Sequence, residues 1–273
     1  MNETMGALDV PGATLYYEKR GSGPLLVFVA GGNGDAGPFG GVARILADRY
    51  TTVAYDRRGF SRSPVDGPVD NSQRVATDLA DLAALIDELG GEPSYVFGSS
   101  SGAIVALNFL NAHPDKVAKV VAHEPPLFSL IPEGEEIRRT MDGVYETFRA
   151  KGYAAAMGEF GKAMGIGGQR PTPGGDIPAP MKEMLARMEH NLPFFLEHEL
   201  RVYTGAVPDL DALASRRDRI VLAGGEDSRE FPPYQPNKAL AKHLDLTIQE
   251  FPGDHAGYGP RAAEFAARLA EVL

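Results

Sequence analysis

Residues 94–103 constrain the fold more than any other part of the sequence. An aromatic and β-branched run stops at the segment Gly-Ser-Ser-Ser-Gly, residues 98–102, and a helical pattern of apolar residues follows. A strand, a tight turn and a helix in succession form the setting in which Gly-x-Ser-x-Gly displays a reactive serine. Side chains at Gly98 or Gly102 are expected to clash with the neighbouring strand or helix. The pattern predicts that Ser100 stands on a strained turn at the carboxyl edge of a sheet, beside a helix N-terminus.

Apolar runs of strand length alternate with helical patterns on both sides of this segment. The predicted strands are residues 13–19, 25–29, 51–55, 94–97, 117–122, 220–223 and 246–251. Such an alternation predicts the α/β class, with a mostly parallel, doubly wound sheet. Ligands of such sheets bind beyond the carboxyl ends of the strands.

This alternation is interrupted between residues 127 and 213, where no strand pattern occurs. Helical patterns cover residues 135–150, 153–164 and 181–203, and the glycine- and proline-rich residues 165–178 predict a loop. We interpret residues 1–126 and 214–273 as one core domain. Residues 127–213 are then a helical cap, or lid, inserted over the edge of the sheet.

Composition excludes several kinds of function. The 273-residue chain contains no cysteine, so it has no thiolate metal site, disulfide or cysteine nucleophile. Its net charge is −10 and its basic residues are not clustered, which argues against a nucleic-acid partner. The N-terminus lacks a signal-peptide pattern, and no apolar run is long enough to cross a bilayer. We therefore expect a cytoplasmic monomer or homodimer that acts on a small molecule without binding a membrane.

A serine hydroxyl needs an adjacent base, and histidine suits this role at neutral pH. Of the six histidines, His255 is the best candidate because it lies in a glycine-containing loop after the last predicted strand. The base must in turn be oriented by a carboxylate. Asp227, which follows the strand at residues 220–223, is the first choice, and Glu124 is its rival. The order Ser100, Asp227, His255 matches the Ser, Asp, His order known from one class of serine hydrolases.

These motifs together resemble the α/β-hydrolase family over nearly the whole chain. They are residues 98–102, Asp-Arg-Arg-Gly at 56–59, Gly-Glu-Asp at 225–227 and Gly-Asp-His at 253–255. The resemblance implies that Ser100 is the nucleophile, His255 the base and Asp227 the acid.

The resemblance also implies an oxyanion hole made by backbone N–H groups. The family often has His-Gly-Gly-Pro-Gly where this chain has Ala-Gly-Gly-Asn-Gly at residues 30–34. The donors are then Ser101 and either Gly32 or Asn33.

The implied activity is cleavage of a small or medium ester or lactone through an acyl-enzyme, with no metal or organic cofactor. Carbon–carbon bond hydrolases, cofactor-free haloperoxidase-type enzymes and proline iminopeptidase-like enzymes remain alternatives, as does a non-catalytic ligand-binding protein. The substrate-binding candidates are Asn33, Phe194, Phe195 and Tyr203.

Overall fold

The computed structural model describes residues 3–90, 93–165 and 177–273. Within these ranges, eight strands form one sheet in the order β1-β2-β4-β3-β5-β6-β7-β8. The β1–β2 and β2–β4 pairs are antiparallel and all the others are parallel, which confirms the predicted doubly wound α/β sheet. The strands are β1 (Glu3–Val10), β2 (Ala13–Arg20), β3 (Leu25–Val29), β4 (Thr51–Tyr55), β5 (Ser94–Ser99), β6 (Val117–His123), β7 (Ile220–Gly225) and β8 (Ile248–Phe251).

Side chains of the buried strands alternate between two hydrophobic layers. In β3, Val27 and Val29 face one layer, whereas Leu26 and Phe28 face the other. All five residues of β3 are buried, as expected for a strand that is covered on both faces. The continuous apolar run in the sequence is therefore a direct consequence of the two layers.

Helices cover both faces of the sheet. Residues of α2, α3 and α10 belong to the first layer, and residues of α1 and α11 belong to the second. In the described ranges the helices outside the insertion are α1 (Gly40–Leu46), α2 (Arg74–Leu89), α3 (Ser101–Ala112), α10 (Gln235–Leu244) and α11 (Ala262–Val272).

A helical insertion separates β6 from β7 and has a small hydrophobic cluster of its own, which includes Met141, Val144 and Leu196. The predicted loop at 165–178 lies largely outside the described residues. The helices described in the insertion are α4 (Gly134–Lys151), α5 (Tyr153–Ala163), α6 (Ala179–His190), α7 (Leu192–His198), α8 (Leu200–Thr204) and α9 (Leu210–Ala214).

The prediction of one helix over residues 181–203 was wrong, because the chain forms α6, α7 and α8 in this region. Pro193 has no N–H group to donate to the preceding turn, so it favours a new helix start rather than a helix interior. The breaks at Asn191 and Glu199 place the side chains of these two residues where they form hydrogen bonds with the core. Both residues are buried. Within the described ranges, every helix is too short or too polar to span a bilayer.

Two glycines allow β3, β5 and α3 to approach each other closely. A Cβ atom at Gly98 would lie 2.2 Å from the carbonyl oxygen of Gly102, and one at Gly102 would lie 2.2 Å from that of Val29. Backbone atoms cannot give way as a flexible side chain can. The predicted steric role of these glycines therefore has a specific basis in the contact between the strands and the helix that follows Ser100.

Gly102→Ala is expected to lower the free energy of unfolding by about 1–3 kcal/mol, because the new methyl group overpacks against backbone. Gly143→Ala is the matched control, since a Cβ at this exposed position in α4 meets nothing within 4 Å. The control is expected to stabilise the protein by about 0.5–1 kcal/mol through helix propensity. Urea unfolding of both variants measures the difference, and equal stability of the two would contradict the steric account.

Candidate functional site

Ser100 lies between β5 and α3 in a strained backbone conformation, with φ 56° and ψ −126°. Its N–H donates to the carbonyl oxygen of His123 at 2.9 Å. Because Ser99 pairs with His123 in the parallel ladder, Ser100 and Glu124 leave neighbouring strands at the same level. The serine is therefore presented at the carboxyl edge of the sheet, beside the end of β6.

His255 is hydrogen-bonded to Glu124 at this edge. Its Nδ1 lies 2.5 Å from Glu124 Oε2, and the imidazole is 24% exposed while the carboxylate is fully buried. The ionised carboxylate can only accept hydrogen bonds. Nδ1 therefore carries the ring proton and donates a hydrogen bond to Glu124. The other ring nitrogen, Nε2, is then left as a base.

The buried carboxylate of Glu124 has a complete set of partners. Oε1 accepts hydrogen bonds from the backbone N–H of Gly225 at 2.8 Å and from the Ser228 hydroxyl. Burial raises the pKa of Glu124, but the hydrogen bond from His255, the nearby imidazoles and Ser228 outweigh burial and lower the pKa to about 2. Glu124 is therefore ionised at neutral pH and stabilises an imidazolium at His255.

Glu124 also occupies a strained backbone conformation, with φ 47°. Non-glycine residues with positive φ are uncommon, and such strain concentrates at functional sites. The backbone N–H of Glu124 donates to Ala223 O at 3.0 Å, which joins this residue to β7. The strained turn thus directs a carboxylate from the end of β6 toward the loop that carries His255.

The structure does not bring Asp227 to His255, as the sequence-based first choice required. The Asp227 side chain is exposed, while its backbone N–H donates to Gly253 O at 3.0 Å. The same turn buries the next residue, Ser228, and directs its hydroxyl toward Glu124. The pairing of His255 with Glu124 therefore corrects the expected geometry. Ser228 is not among the residues predicted from the sequence, because nothing in the sequence distinguishes it from other turn serines.

Gly31 lies against the candidate nucleophile, and Gly32 lies against the ring of Phe195. A Cβ at Gly31 would be 2.8 Å from Ser100 Cβ, and one at Gly32 would be 2.5 Å from the Phe195 ring. In the described part of the chain, the Gly32 N–H donates no hydrogen bond to a protein acceptor. Ser101 is the first residue of α3, where N–H groups have no partner within the helix. Both predicted donors are therefore close to Ser100 in the chain or in space.

The candidate substrate-binding residues have different positions. Phe195 covers Gly32, whereas Phe194 packs against Gly59 and stacks edge-on with Phe60. Asn33 stabilises its own loop, because its Oδ1 accepts from the Asp35 N–H at 3.1 Å.

Tyr203 does not line an open site, because it is only 2% exposed and its hydroxyl donates to Asp78. Of the three aromatic candidates, Phe195 is the one whose ring contacts Gly32, in the loop at residues 30–34 that is the candidate oxyanion loop.

The sequence matches a known fold family and a bacterial relative. A model described as the alpha/beta hydrolase fold matches residues 24–167. The chain is 37% identical over 276 residues to an uncharacterized hydrolase, YraK, of Bacillus subtilis (strain 168), with 98% of this chain and 95% of the relative covered. This chain belongs to the α/β-hydrolase fold family.

Two further relatives of this α/β-hydrolase extend the comparison. A zearalenone hydrolase of Bionectria ochroleuca is 26% identical over 283 residues, covering 98% of this chain and 97% of that protein. A thermophilic esterase from Thermogutta terrifontis superposes with a TM-score of 0.73 at 18% identity, over 100% of this chain and 98% of that structure. The structural match concerns the fold alone.

Within the described ranges of this α/β-hydrolase, His123, Glu124 and His255 form the cluster whose potential metal-ligand atoms lie within 4.8 Å of one another. The 2.5 Å between His255 Nδ1 and Glu124 Oε2 is too short for both to bind one metal ion, since two ligand bonds of about 2 Å hold their atoms about 3 Å or more apart. The geometry favours a hydrogen-bonded pair over a metal site.

His123 is buried beside this pair among aromatic rings, and among the residues that the structure describes neither of its ring nitrogens has a hydrogen-bond partner. Burial lowers the pKa of His123 to about 4, although the Glu124 charge opposes this shift. The folded protein therefore keeps His123 neutral, whereas the unfolded chain protonates it as the pH falls below its ordinary pKa near 6.5. This histidine contributes a loss of stability as the pH falls from about 6.5 to 4.

His123→Phe is expected to reduce this pH dependence by about 2 kcal/mol between pH 7 and pH 5, since the unfolded chain no longer gains the proton. Urea unfolding at both pH values measures the effect. His243→Phe is the control, because His243 is exposed in α10 and its side chain stays in water. An unchanged pH dependence in His123→Phe would show that His123 is not buried as a neutral group.

Proposed function

We propose that this protein is a serine hydrolase that cleaves esters or lactones, with Ser100 as nucleophile, His255 as general base and Glu124 as the carboxylate that orients the base. The observation that carries the proposal is the hydrogen bond between His255 and the buried, ionised Glu124 beside the strained turn of Ser100. A nucleophile, a base and a group that orients the base are the parts that acyl transfer requires.

In the first half of the reaction, Ser100 Oγ attacks the substrate carbonyl carbon while His255 Nε2 accepts the serine proton. Glu124 holds the Nδ1–H and stabilises the imidazolium that forms. The N–H groups of Gly32 and Ser101 donate to the oxyanion. When the intermediate collapses, His255 returns the proton to the leaving alkoxide and an acyl-enzyme remains.

In the second half, His255 removes a proton from water, which attacks the acyl carbonyl carbon. The second tetrahedral intermediate uses the same two N–H donors. Its collapse releases the carboxylic acid and returns the proton to Ser100 Oγ. Water is the only co-reactant of the proposed reaction, and no step of it uses a metal or organic cofactor.

Two observations favour a neutral lactone or ester of medium size. The zearalenone hydrolase matches this chain over 98% of its length, and zearalenone is a lactone. The Phe195 ring covers Gly32 and stacks edge-on with Phe160, which places an apolar surface beside the proposed oxyanion hole. Apolar walls with a few polar groups are typical of small-molecule sites.

The catalytic proposal predicts hydrolysis of p-nitrophenyl acetate and covalent labelling by a fluorophosphonate at Ser100. Ser100→Ala is expected to abolish labelling and to reduce kcat by about 10⁴-fold or more, because the nucleophile is lost. Release of nitrophenol and mass spectrometry of the intact protein measure the two effects. A wild-type protein that neither turns over esters nor reacts with the probe would be a ligand-binding protein instead.

Glu124→Gln and Asp227→Asn make the same chemical change at the two candidate carboxylates. Glu124→Gln is expected to lower kcat by about 10²–10⁴-fold, because it removes the charge that stabilises the imidazolium and orients the base. Asp227→Asn is expected to leave kcat within about threefold, because its side chain is exposed and His255 is hydrogen-bonded to Glu124 instead. The opposite ranking in steady-state kinetics would assign the role to Asp227.

The substrate class predicts higher kcat/KM for neutral lactones and medium-chain esters than for short charged esters. Phe195→Ala is expected to raise KM for apolar substrates more than for p-nitrophenyl acetate, since it removes apolar contact area. Phe194→Ala is the matched control, because that ring packs on Gly59 and Phe60 instead. A panel in which charged short esters are preferred would overturn this substrate class.

A further inference from the structure

A network of buried charges joins the core to the helical insertion. Arg57 and Arg74 from the core pair with Asp78 of α2 and with Glu199, which lies between α7 and α8. All four side chains are at most 1% exposed, and their formal charges sum to zero. Breaking one buried pair leaves an uncompensated charge, so the network holds its members in fixed positions.

Arg57 occupies the centre of the network. Its Nη1 and Nη2 donate to the two oxygens of Glu199 at 2.9 and 2.8 Å, which is a two-pronged hydrogen bond. Nη2 also donates to Asp78 Oδ2 at 2.5 Å and to the Tyr203 hydroxyl at 3.0 Å. A planar guanidinium bound in this way has its orientation fixed.

The same guanidinium contacts the peptide group that carries the Gly32 N–H and the side chain of Ser101. Nη1 lies 3.3 Å from the carbonyl oxygen of Gly31, 3.4 Å from that of Ala30 and 3.3 Å from Ser101 Oγ. Gly31 O belongs to the peptide group whose N–H is that of Gly32. In a planar trans peptide the C=O and N–H bonds point in opposite directions, so a donor that holds Gly31 O also directs the Gly32 N–H.

We infer that Arg57 is a positioning residue that holds the peptide group of the Gly32 N–H donor and the side chain of Ser101, whose N–H is the other donor, and that Glu199 makes this geometry depend on the insertion. The inference rests on the proposed acyl-transfer function. One side chain joins the loop after β3 to the first residue of α3, and a carboxylate of the insertion holds that side chain in place. The insertion therefore takes part in forming the oxyanion hole as well as in covering the substrate.

Arg74 provides a matched control within the same network. It pairs with Glu199 at 2.7 Å and with Asp78 at 3.4 Å, and it is as deeply buried as Arg57. Its Nη2 also donates to the carbonyl oxygen of Arg58, which lies outside the loop at residues 30–34. A purely structural role of the network predicts equal effects at the two arginines, whereas the positioning role predicts different effects.

The test compares Arg57→Lys with Arg74→Lys in the full-length protein. Both variants are expected to unfold at lower temperature, because each loses guanidinium hydrogen bonds to the buried carboxylate of Glu199. Arg57→Lys is expected to lower kcat for p-nitrophenyl acetate by about 10- to 100-fold with KM within about threefold, since misdirected donors act on the transition state. The affinity for a trifluoromethyl ketone, which mimics the tetrahedral intermediate, is expected to fall by the same factor. Arg74→Lys is expected to keep both values within about threefold of wild type.

Equal losses of kcat in the two variants, or a loss confined to KM, would overturn the positioning role. If Arg57→Lys does not fold, Glu199→Gln replaces it, because it keeps the shape of the side chain. A parallel fall in kcat and ketone affinity then supports the role, and unchanged values overturn it. Turnover by the wild-type protein and labelling of its Ser100 are measured first. A wild type that shows neither overturns the proposed function and the inference with it. If the wild type is active, the variants test the role of Arg57 alone.

Discussion

The carboxylate of Glu124, through its hydrogen bonds with His255 and Gly225, connects three segments that are far apart in the sequence. It joins the end of β6 to the loop after β8, and the second carboxylate oxygen accepts from Gly225 at the end of β7. A buried carboxylate is stable only when its oxygens are satisfied, so these segments must close around Glu124 together. The strained φ of Glu124 is the cost of directing the carboxylate to this point.

The insertion is fixed to the core by polar contacts as well as by packing. Glu199 pairs with two buried arginines, and Asn191 donates to the carbonyl oxygen of Asn33 at 2.6 Å. Arg187 adds an ion pair at 2.7 Å to Asp35, whose carboxylate is fully buried. These contacts reach the loops that follow β3 and β4 and the start of α2, and the loop after β3 carries Gly32, one of the two proposed oxyanion donors. Covering the site and shaping it are therefore linked in this fold.

The sheet could be predicted because its strands are buried on both faces and so form continuous apolar runs. Ser100 and His255 could be singled out because glycines mark the turns on which they lie. The partner of His255 could not be chosen from the sequence, since Asp227 and Glu124 both follow strands that end at the same edge. That choice depends on which residue of the turn after β7 is buried, and it is Ser228. The role of Tyr203 depends on its contact with Asp78, 125 residues away in the sequence.

The protonation of His255 tests the central claim most directly. In the protein labelled with ¹⁵N at histidine, NMR of the neutral imidazole resolves which ring nitrogen carries the proton, and His255→Ala assigns the signal by its loss. The account predicts a single tautomer with the proton on Nδ1, a strongly downfield N–H resonance and an unprotonated Nε2. A proton on Nε2, or a mixture of tautomers in exchange with water, would mean that Glu124 does not orient the base and would contradict the proposed chemistry.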